Sequence, residues 1–149
     1  MAAYTIREAT PDDAEQILIH NELITNQPDN GITRSPGENM NLEEEREYLA
    51  ASLASDNSVM LIAVLATGEV IGLAGFHGGK RKAVRHTGGV GIAINPEWRN
   101  KGVGTALPQH LIEWAKQTQI IKRIELEVMT HNARAIHVYE KLGFKMEGK

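Results

Sequence analysis

The feature that most constrains the fold is an apolar stretch that leads through a glycine-rich turn into an amphipathic segment. Residues 90–94 are apolar, and residues 99–104 contain two glycines. Apolar residues then recur from Leu107 at helical spacing. The pattern predicts a strand, a tight turn and the start of a helix. Several backbone amides without helical partners would therefore point to one spot, at the positive end of the helix dipole.

A spot of this kind favours a phosphate group. Gly102 and Gly104 let the main chain approach a ligand closely, and Arg99 and Lys101 add positive charge beside it. The P-loop does not fit because Gly-Lys-Ser/Thr is absent, and the dinucleotide fingerprint requires a third glycine where Leu107 stands. A purely structural turn into a helix would give the same letters. The loop by itself therefore leaves its ligand open.

Two motifs of the chain resemble those of the GNAT superfamily. Residues 90–106 are similar to its hydrophobic strand followed by Arg/Gln-x-x-Gly-x-Gly/Ala, and residues 132–144 are similar to its signature Asn-x-x-Ala-x-x-x-Tyr-x-x-x-Gly-Phe. The two motifs lie at the separation expected for the family. The resemblance implies an acyltransferase, an N-acetyltransferase that moves the acetyl group of acetyl-CoA to a primary amine by direct attack in a ternary complex.

The elements predicted from the sequence follow the order β-α-α-β-β-β-α-β-α-β. This order is typical of the α/β class with a mixed sheet and helices on its faces, and it agrees with the GNAT-like acyl-CoA N-acyltransferase fold. We expect one domain over residues 1–149. Strands are predicted at residues 4–9, 59–65, 70–76, 83–94 and 124–128 and from 144, and helices at 11–25, 41–55, after the glycine-rich loop, and at 132–142.

Two features depart from the family pattern. Pro108 falls where the helix after the loop would enter its interior, so either the helix begins later or this position is strained. Family members also continue past the end of this chain into one more strand. We therefore expect the last C-terminal strand to be lacking, as in a piece of a longer protein, which would impair activity or leave an edge for a homodimer partner.

The resemblance also implies which residues hold the coenzyme. Main-chain groups of Ile92, Ala93 and Ile94 would contact the pantetheine arm and the thioester. Asn132 is similar to a family residue that contacts the coenzyme, although it is also a good helix N-cap. The pyrophosphate would be cradled by Arg99, Asn100, Lys101, Gly102, Val103, Gly104 and Thr105.

Two residues are candidates for the proton transfers of an acyl transfer. Tyr139 occupies the family position near the coenzyme sulfur and resembles a general acid, although it could equally be an aromatic core residue. Glu127 stands twelve residues before Tyr139, a spacing similar to that of base and acid in ribosomal-protein alanine acetyltransferases, a subgroup the chain resembles together with small-molecule amine acetyltransferases. Glu125, or water held by either glutamate, is an alternative base. Alternating glutamates are also common on a solvated sheet face.

The histidines and the missing cysteines limit other chemistry. None of the six histidines has the spacing of a metal site, so we expect no metal. Most histidines are expected at the surface, and His77 or His86 could face the acceptor pocket. Without cysteine there is no disulfide and no thiol nucleophile. The chemistry must therefore use other side chains or the backbone.

The distribution of charge suggests the kinds of ligand. Residues 1–60 carry 12 acidic and 3 basic residues, whereas residues 61–149 carry 7 and 13. This asymmetry favours an anion at the C-terminal half and a cationic amine near the N-terminal half, although solvated helix faces would look the same. The acids that could attract the amine are Glu22, Asp29, Glu38, Glu43, Glu44 and Glu45.

No membrane segment or leader is evident, and we expect a cytoplasmic protein with a small-molecule or peptide amine as acceptor. Neither nucleic acid nor a membrane is an expected partner. Residues 23–49 and the hairpin near Lys80 would determine which amine is accepted. Two other classes of function stay open: a GNAT-fold module that binds acetyl-CoA without catalysis, and a nucleotide-binding regulator built on the same loop.

Overall fold

The computed structural model describes residues 4–25, 40–98, 102–126 and 133–145. Within these ranges the strands are β1 (Tyr4–Glu8), β2 (Ser58–Leu65), β3 (Val70–Gly78), β4 (Thr87–Ile94) and β5 (Arg123–Leu126). The α-helices are α1 (Ala14–Thr25), α2 (Leu42–Ala54), α3 (Val103–Thr118) and α4 (Ala133–Lys141). Short 3₁₀ turns occupy Pro11–Asp13, Lys82–Val84 and Pro96–Trp98.

The five described strands form one sheet in the order β1-β2-β3-β4-β5. The first four are antiparallel to their neighbours, and β5 runs parallel to β4. The parallel pair needs a crossover, which α3 provides. The predicted α/β architecture with a mixed sheet is confirmed.

Local capping signals explain where two helices begin. The amide of Glu44 donates to the side chain of Asn41 over 2.8 Å, and the amide of Asn41 donates back to Glu44 over 3.0 Å. Before α1, the amide of Thr10 donates to Asp13 over 2.8 Å, and Pro11 begins the 3₁₀ turn. Reciprocal bonds of this kind satisfy amides that lack helical partners. Both predicted helix starts are confirmed.

The start of β4 was predicted too early. Residues 83–86 are not extended, and β4 begins at Thr87 after the 3₁₀ turn Lys82–Val84. The side-chain amide of Asn57 donates to the carbonyls of Gly79 and Arg85, at 3.0 and 3.3 Å. The hydroxyl of Thr87 donates to the carbonyl of Val84 over 3.2 Å. These bonds hold the β3–β4 connection as a compact turn.

Alternate residues of the sheet pack into two layers. On one face, Val59, Leu61 and Phe76 are buried against Val103, Leu107 and Leu111 of α3. On the other face, Met60, Ile62 and Val64 pack against Ile17 of α1 and Leu49 of α2. Successive side chains of a strand point to opposite faces, so a central strand covered on both sides is apolar throughout. This explains the apolar run at residues 59–65.

Helix α3 runs through Pro108, which is buried. Because α3 begins at Val103, Pro108 lies in its second turn, and the alternative of a later helix start is wrong. The helix lies close to the sheet at Gly72, where an added Cβ would be 2.8 Å from Leu107 Cδ1 and 3.0 Å from Val103 Cγ1. A side chain at this position would push α3 away from β3.

Other predictions concern the end of the chain and the loop after α1. Phe144 and Lys145 are irregular rather than a strand, so that part of the prediction is wrong. The remainder of that predicted strand and the predicted loop at residues 26–39 lie outside the described residues. Among the described helices, none is both long and apolar enough to span a bilayer.

Candidate active site

The first turn of α3 presents free amides. Gly102 precedes it with φ 91° and ψ −11°, a left-handed conformation that glycine adopts readily. Its carbonyl accepts the amides of Thr105 and Ala106, at 3.2 and 2.9 Å. The amides of Val103 and Gly104 have no such partner in the described part of the chain. The turn therefore has the form of an anion site.

Gly104 leaves open space in front of this turn, because an added Cβ there would meet nothing within 4 Å. Val103 is fully buried, so only its main chain can serve a ligand. Three residues predicted beside them, Arg99, Asn100 and Lys101, lie outside the described residues.

Next to this turn, strand β4 has a main-chain edge that no described residue pairs with beyond Val90, the open edge of β4. The amide of Asn95 donates to Ile71 of β3, and the amide of Gly79 donates to Thr87, so odd-numbered residues of β4 bond to β3. The amides and carbonyls of Ile92 and Ile94 point the other way. The pairing with β5 reaches only to Val90 opposite Leu126 within the described residues.

The structure brings these two elements together. Ile94 Cδ1 and Val103 Cγ1 lie 3.3 and 3.0 Å from the position of an added Cβ on Gly72. The open edge of β4 and the first turn of α3 therefore meet above β3. Ala93 is placed differently, since its main-chain groups pair with Leu73 of β3.

Tyr139 lies in a helix-ending motif. The amide of Gly143 donates to the carbonyl of Glu140, and the amide of Phe144 donates to that of Tyr139, both over 3.0 Å. Gly143 has φ 103°. These bonds form a Schellman cap, in which the residue after the glycine packs on the helix. Accordingly, the rings of Tyr139 and Phe144 are in edge contact, with centroids 5.9 Å apart. Burial raises the pKa of the Tyr139 phenol.

The candidate bases are only partly described. Glu125 is exposed on β5, where its carboxylate bonds to Nε of Arg123 over 2.9 Å. Glu127 and Asn132 lie outside the described residues. Glu45, one of the acids expected to attract an amine, is buried in α2 with 2% of its surface exposed. Glu44 closes the helix cap instead.

His77 and His86, the two histidines that could face the acceptor pocket, lie in different environments. His77 of β3 is hydrogen-bonded to the hydroxyl of Tyr48 on α2, and partial burial lowers its pKa. His86 is exposed, and its carbonyl accepts the amides of Lys122 and Arg123. Among the described residues, no group of three or more His, Asp or Glu side chains could hold a metal ion.

His20 is an exception to the expectation that most histidines lie at the surface. Its ring is 2% exposed, and within the described ranges neither ring nitrogen has a hydrogen-bond partner. Desolvation lowers its pKa to about 4, and nearby backbone groups of Ala93 and Val70 only partly oppose the shift. Its spacing from Ile17 and Ile24, three and four residues along α1, was the sequence signal for the buried face.

The amide-bearing turn and the open edge of β4 together offer main-chain groups to an extended anionic ligand. The family model described as Acetyltransferase (GNAT) family matches residues 26–144. The chain belongs to the GNAT acetyltransferase family.

Similar proteins agree with this family. The L-amino acid N-acetyltransferase AaaT of Escherichia coli is 34% identical over 96 residues, which cover 64% of this chain and 59% of that protein. An N-alpha-acetyltransferase of Sulfurisphaera tokodaii is 31% identical over 95% of this chain and 80% of its own length. The crystal structure of a GNAT acetyltransferase from Streptococcus pneumoniae superposes with a TM-score of 0.90 at 34% identity, covering 97% of this chain and 86% of that one.

The family, the acyltransferase class and acetyl-CoA as the acetyl donor are thereby confirmed. The relatives also include ribosomal-protein alanine acetyltransferases, one of the two subgroups that the sequence resembles. Each of these relatives is named as an acetyltransferase, and none of them is named as a non-catalytic module.

Proposed function

We propose that this chain transfers the acetyl group of acetyl-CoA to a primary amine of a small molecule or peptide, by direct attack within a ternary complex. The observation that carries the proposal is the meeting of the α3 turn and the open β4 edge above Gly72. The turn offers amides for the pyrophosphate. The edge offers the main-chain groups of Ile92 and Ile94 for the pantetheine arm. The pyrophosphate and the pantetheine arm of one extended ligand would thus bind at adjacent positions.

The chemistry requires two tasks, deprotonation of the amine nitrogen and protonation of the sulfur. The nitrogen attacks the acetyl carbonyl carbon, a tetrahedral oxyanion forms, and its collapse breaks the carbon–sulfur bond. The ammonium loses one proton before the attack and the nitrogen loses a second as the amide forms, while the thiolate gains one, so each transfer releases one proton. We assign the first task to Glu127, or to water held by Glu127 or Glu125, and the second to Tyr139. Burial raises the pKa of the phenol, so donation to a thiolate, which is the weaker base, requires direct contact between the two groups.

The other proposed contacts with the donor follow from the family resemblance. We assign Arg99, Asn100 and Lys101 to the pyrophosphate, together with the main chain from Gly102 to Thr105. Asn132 would contact the coenzyme. These assignments are tested one by one through the affinity of each alanine variant for acetyl-CoA.

Replacement of Tyr139 by Phe tests the catalytic assignment. We expect kcat to fall about 100-fold or more, because proton donation to the leaving thiolate is lost. The affinity for acetyl-CoA and the free energy of unfolding should change little, since the ring contact with Phe144 is retained. Steady-state CoA release, calorimetric binding of acetyl-CoA and urea denaturation measure the three quantities.

The parent chain decides between the proposal and its rivals. Binding of acetyl-CoA without CoA release on any amine would identify a non-catalytic module. Stronger binding of ATP than of acetyl-CoA would identify a nucleotide-binding regulator. Transfer that proceeds unchanged in the Tyr139→Phe variant would leave acetyl transfer intact but remove Tyr139 from it.

The acceptor panel follows from the relatives. One of them is named for L-amino acids and another for α-amino groups. We therefore propose amino acids and peptide N-termini as the first acceptors to test, followed by polyamines and aminoglycosides. The exposed acids Glu22 and Glu43 are consistent with a cationic acceptor.

Two proposals concern the state of the chain. A homodimer would show as a doubled mass in light scattering of the purified protein. A cytoplasmic location, expected from the sequence, would be tested by cell fractionation with an antibody to the chain.

A further inference from the structure

Strand β4 contains three glycines, and the packing around them explains only one. At Gly88, an added Cβ would overlap the carbonyl oxygen of His77 and the ring of Phe76. Among the described residues, it would meet nothing within 4 Å at Gly91, and at Gly89 only the carbonyl of Glu125 at 3.9 Å. The described part of the interior therefore requires a glycine at 88 but not at 89 or 91. A glycine inside a strand carries a cost, and close approach of a ligand is one reason for it.

The two unexplained glycines lie on the same side of the sheet. Even-numbered residues of β4, such as Val90, pack toward α3. Gly89 and Gly91 therefore face the side that carries α1 and α2, and both are exposed. Within the described residues, these helices cover β2 and β3 at this level. No described residue of either helix covers Gly89 or Gly91.

Side chains from the neighbouring strands border this open stretch. His77, Gly89 and Glu125 are cross-strand neighbours on β3, β4 and β5, so the side chains of His77 and Glu125 rise from the same face. The two flanking strands are about 10 Å apart, twice the spacing of adjacent strands. Gly89 and Gly91 thus form the floor of a trough with one wall on each side.

The wall on the α2 side is a fixed pair. The hydroxyl of Tyr48 is hydrogen-bonded to the imidazole of His77, and the two rings lie 5.4 Å apart. The wall on the β5 side is Glu125 with its partner Arg123. A trough of this width, with hydrogen-bonding walls and a floor of backbone, accommodates one extended chain.

We propose that Gly89 and Gly91 form the floor of the acceptor site, and that the Tyr48–His77 pair is the wall that determines which amines enter it. The preferred acceptor is a primary amine at the end of a single extended chain, such as a linear amine or a peptide N-terminus, rather than an amine on a ring. This inference rests on the proposed function. The main-chain groups of Ile92, assigned to the donor, are adjacent in sequence to Gly91, so donor and acceptor would meet on one strand.

The test adds a side chain to the floor. Gly91→Ala has room in the fold, and we expect it to raise the KM of a linear amine about tenfold, with a larger rise for Gly91→Val. Gly89→Ala is a second variant of the floor. The KM for acetyl-CoA should stay within twofold of the parent. Ala66→Val is the control, because it adds two methyl groups at an exposed turn, between the one carbon of Gly91→Ala and the three of Gly91→Val.

The wall is tested by its hydrogen bond. Tyr48→Phe and His77→Gln should each raise the KM for the amine about fivefold. They should also reduce the ratio of kcat/KM for linear amines to kcat/KM for ring-bound amines. Both effects should leave the KM for acetyl-CoA unchanged, which a merely structural role would not predict.

The outcomes separate this inference from the proposed function. If the parent acetylates amines but no floor or wall variant changes the amine KM, the acceptor lies elsewhere and the inference is wrong. A parent that prefers ring-bound amines also overturns it. If the parent acetylates no amine at all, the proposed function itself fails, and the inference fails with it.

Discussion

Strand β4 uses glycine differently on its two faces. On the α3 face, Gly88 makes room for the ring of Phe76 and belongs to the packed core. On the opposite face, Gly91 is exposed, and a Cβ added there would meet no described residue within 4 Å. The same residue type thus serves packing on one side and, as we infer, access on the other. The comparison teaches that a glycine should be interpreted from what its missing side chain would contact.

The largest expected difference is between alanine variants of these two glycines. Gly88→Ala should lower the free energy of unfolding by about 3 kcal/mol, because its new methyl group would overlap a main-chain oxygen that cannot move cheaply. Gly91→Ala should change it by about 0.5 kcal/mol or less. Urea denaturation of both variants measures the contrast. Equal losses would show that the two faces do not differ.

On the face opposite α3, helix α1 covers part of the sheet. The burial that results there can be tested through the pH dependence of the free energy of unfolding. His20 lies there beside Ala93, with its pKa lowered to about 4 from 6.5. Between these values the unfolded chain binds a proton that the folded chain does not, so stability falls as the pH is lowered. From pH 7 to 4.5 the loss attributable to His20 should be about 2 to 3 kcal/mol.

The matched variant is His20→Leu, which cannot titrate. The free energies of unfolding of parent and variant are measured at both pH values. The carboxylates titrate in both proteins, so the difference between the two losses is the contribution of His20. A parent and a variant that lose the same stability on acidification would indicate that water reaches the His20 ring.

The smallest expected effect on stability is at Gly143. Glycine is favoured there for a third reason, because the backbone is left-handed. Gly143 has φ 103° in the cap of α4, so Gly143→Ala should cost about 1 kcal/mol of stability. It should also lower kcat, because the cap holds Tyr139 against Phe144. Lys141→Ala in the same helix is the control and should change neither. An unchanged kcat in Gly143→Ala would show that the cap does not position Tyr139.

Local signals predicted much of the fold. Asn41 with Glu44, and Thr10 with Asp13, satisfy amides within a few residues, so the sequence itself determines where these helices begin. The Tyr-x-x-x-Gly-Phe signature could be located for the same reason. It is a helix cap whose bonds all lie within six residues.

Features that depend on distant partners could not be predicted in this way. The late start of β4 depends on Asn57, which lies between α2 and β2 and donates to the carbonyl of Arg85. The burial of His20 depends on α1 lying across β4 at Ala93. The pairing of Tyr48 with His77 needs the position of α2 over β3, which no periodicity encodes. The glycine-rich loop could be predicted, but the trough could not.

Pro108 gives α3 a particular mechanical property. Proline has no amide hydrogen, so the carbonyl of Gly104 lacks the bond that it would receive in an uninterrupted helix. The buried residues Leu107 and Leu111 fix the rest of α3 to the sheet. The first turn is therefore tied to the rest of α3 by one hydrogen bond fewer than usual, and the buried side chain of Val103 holds it to the sheet instead.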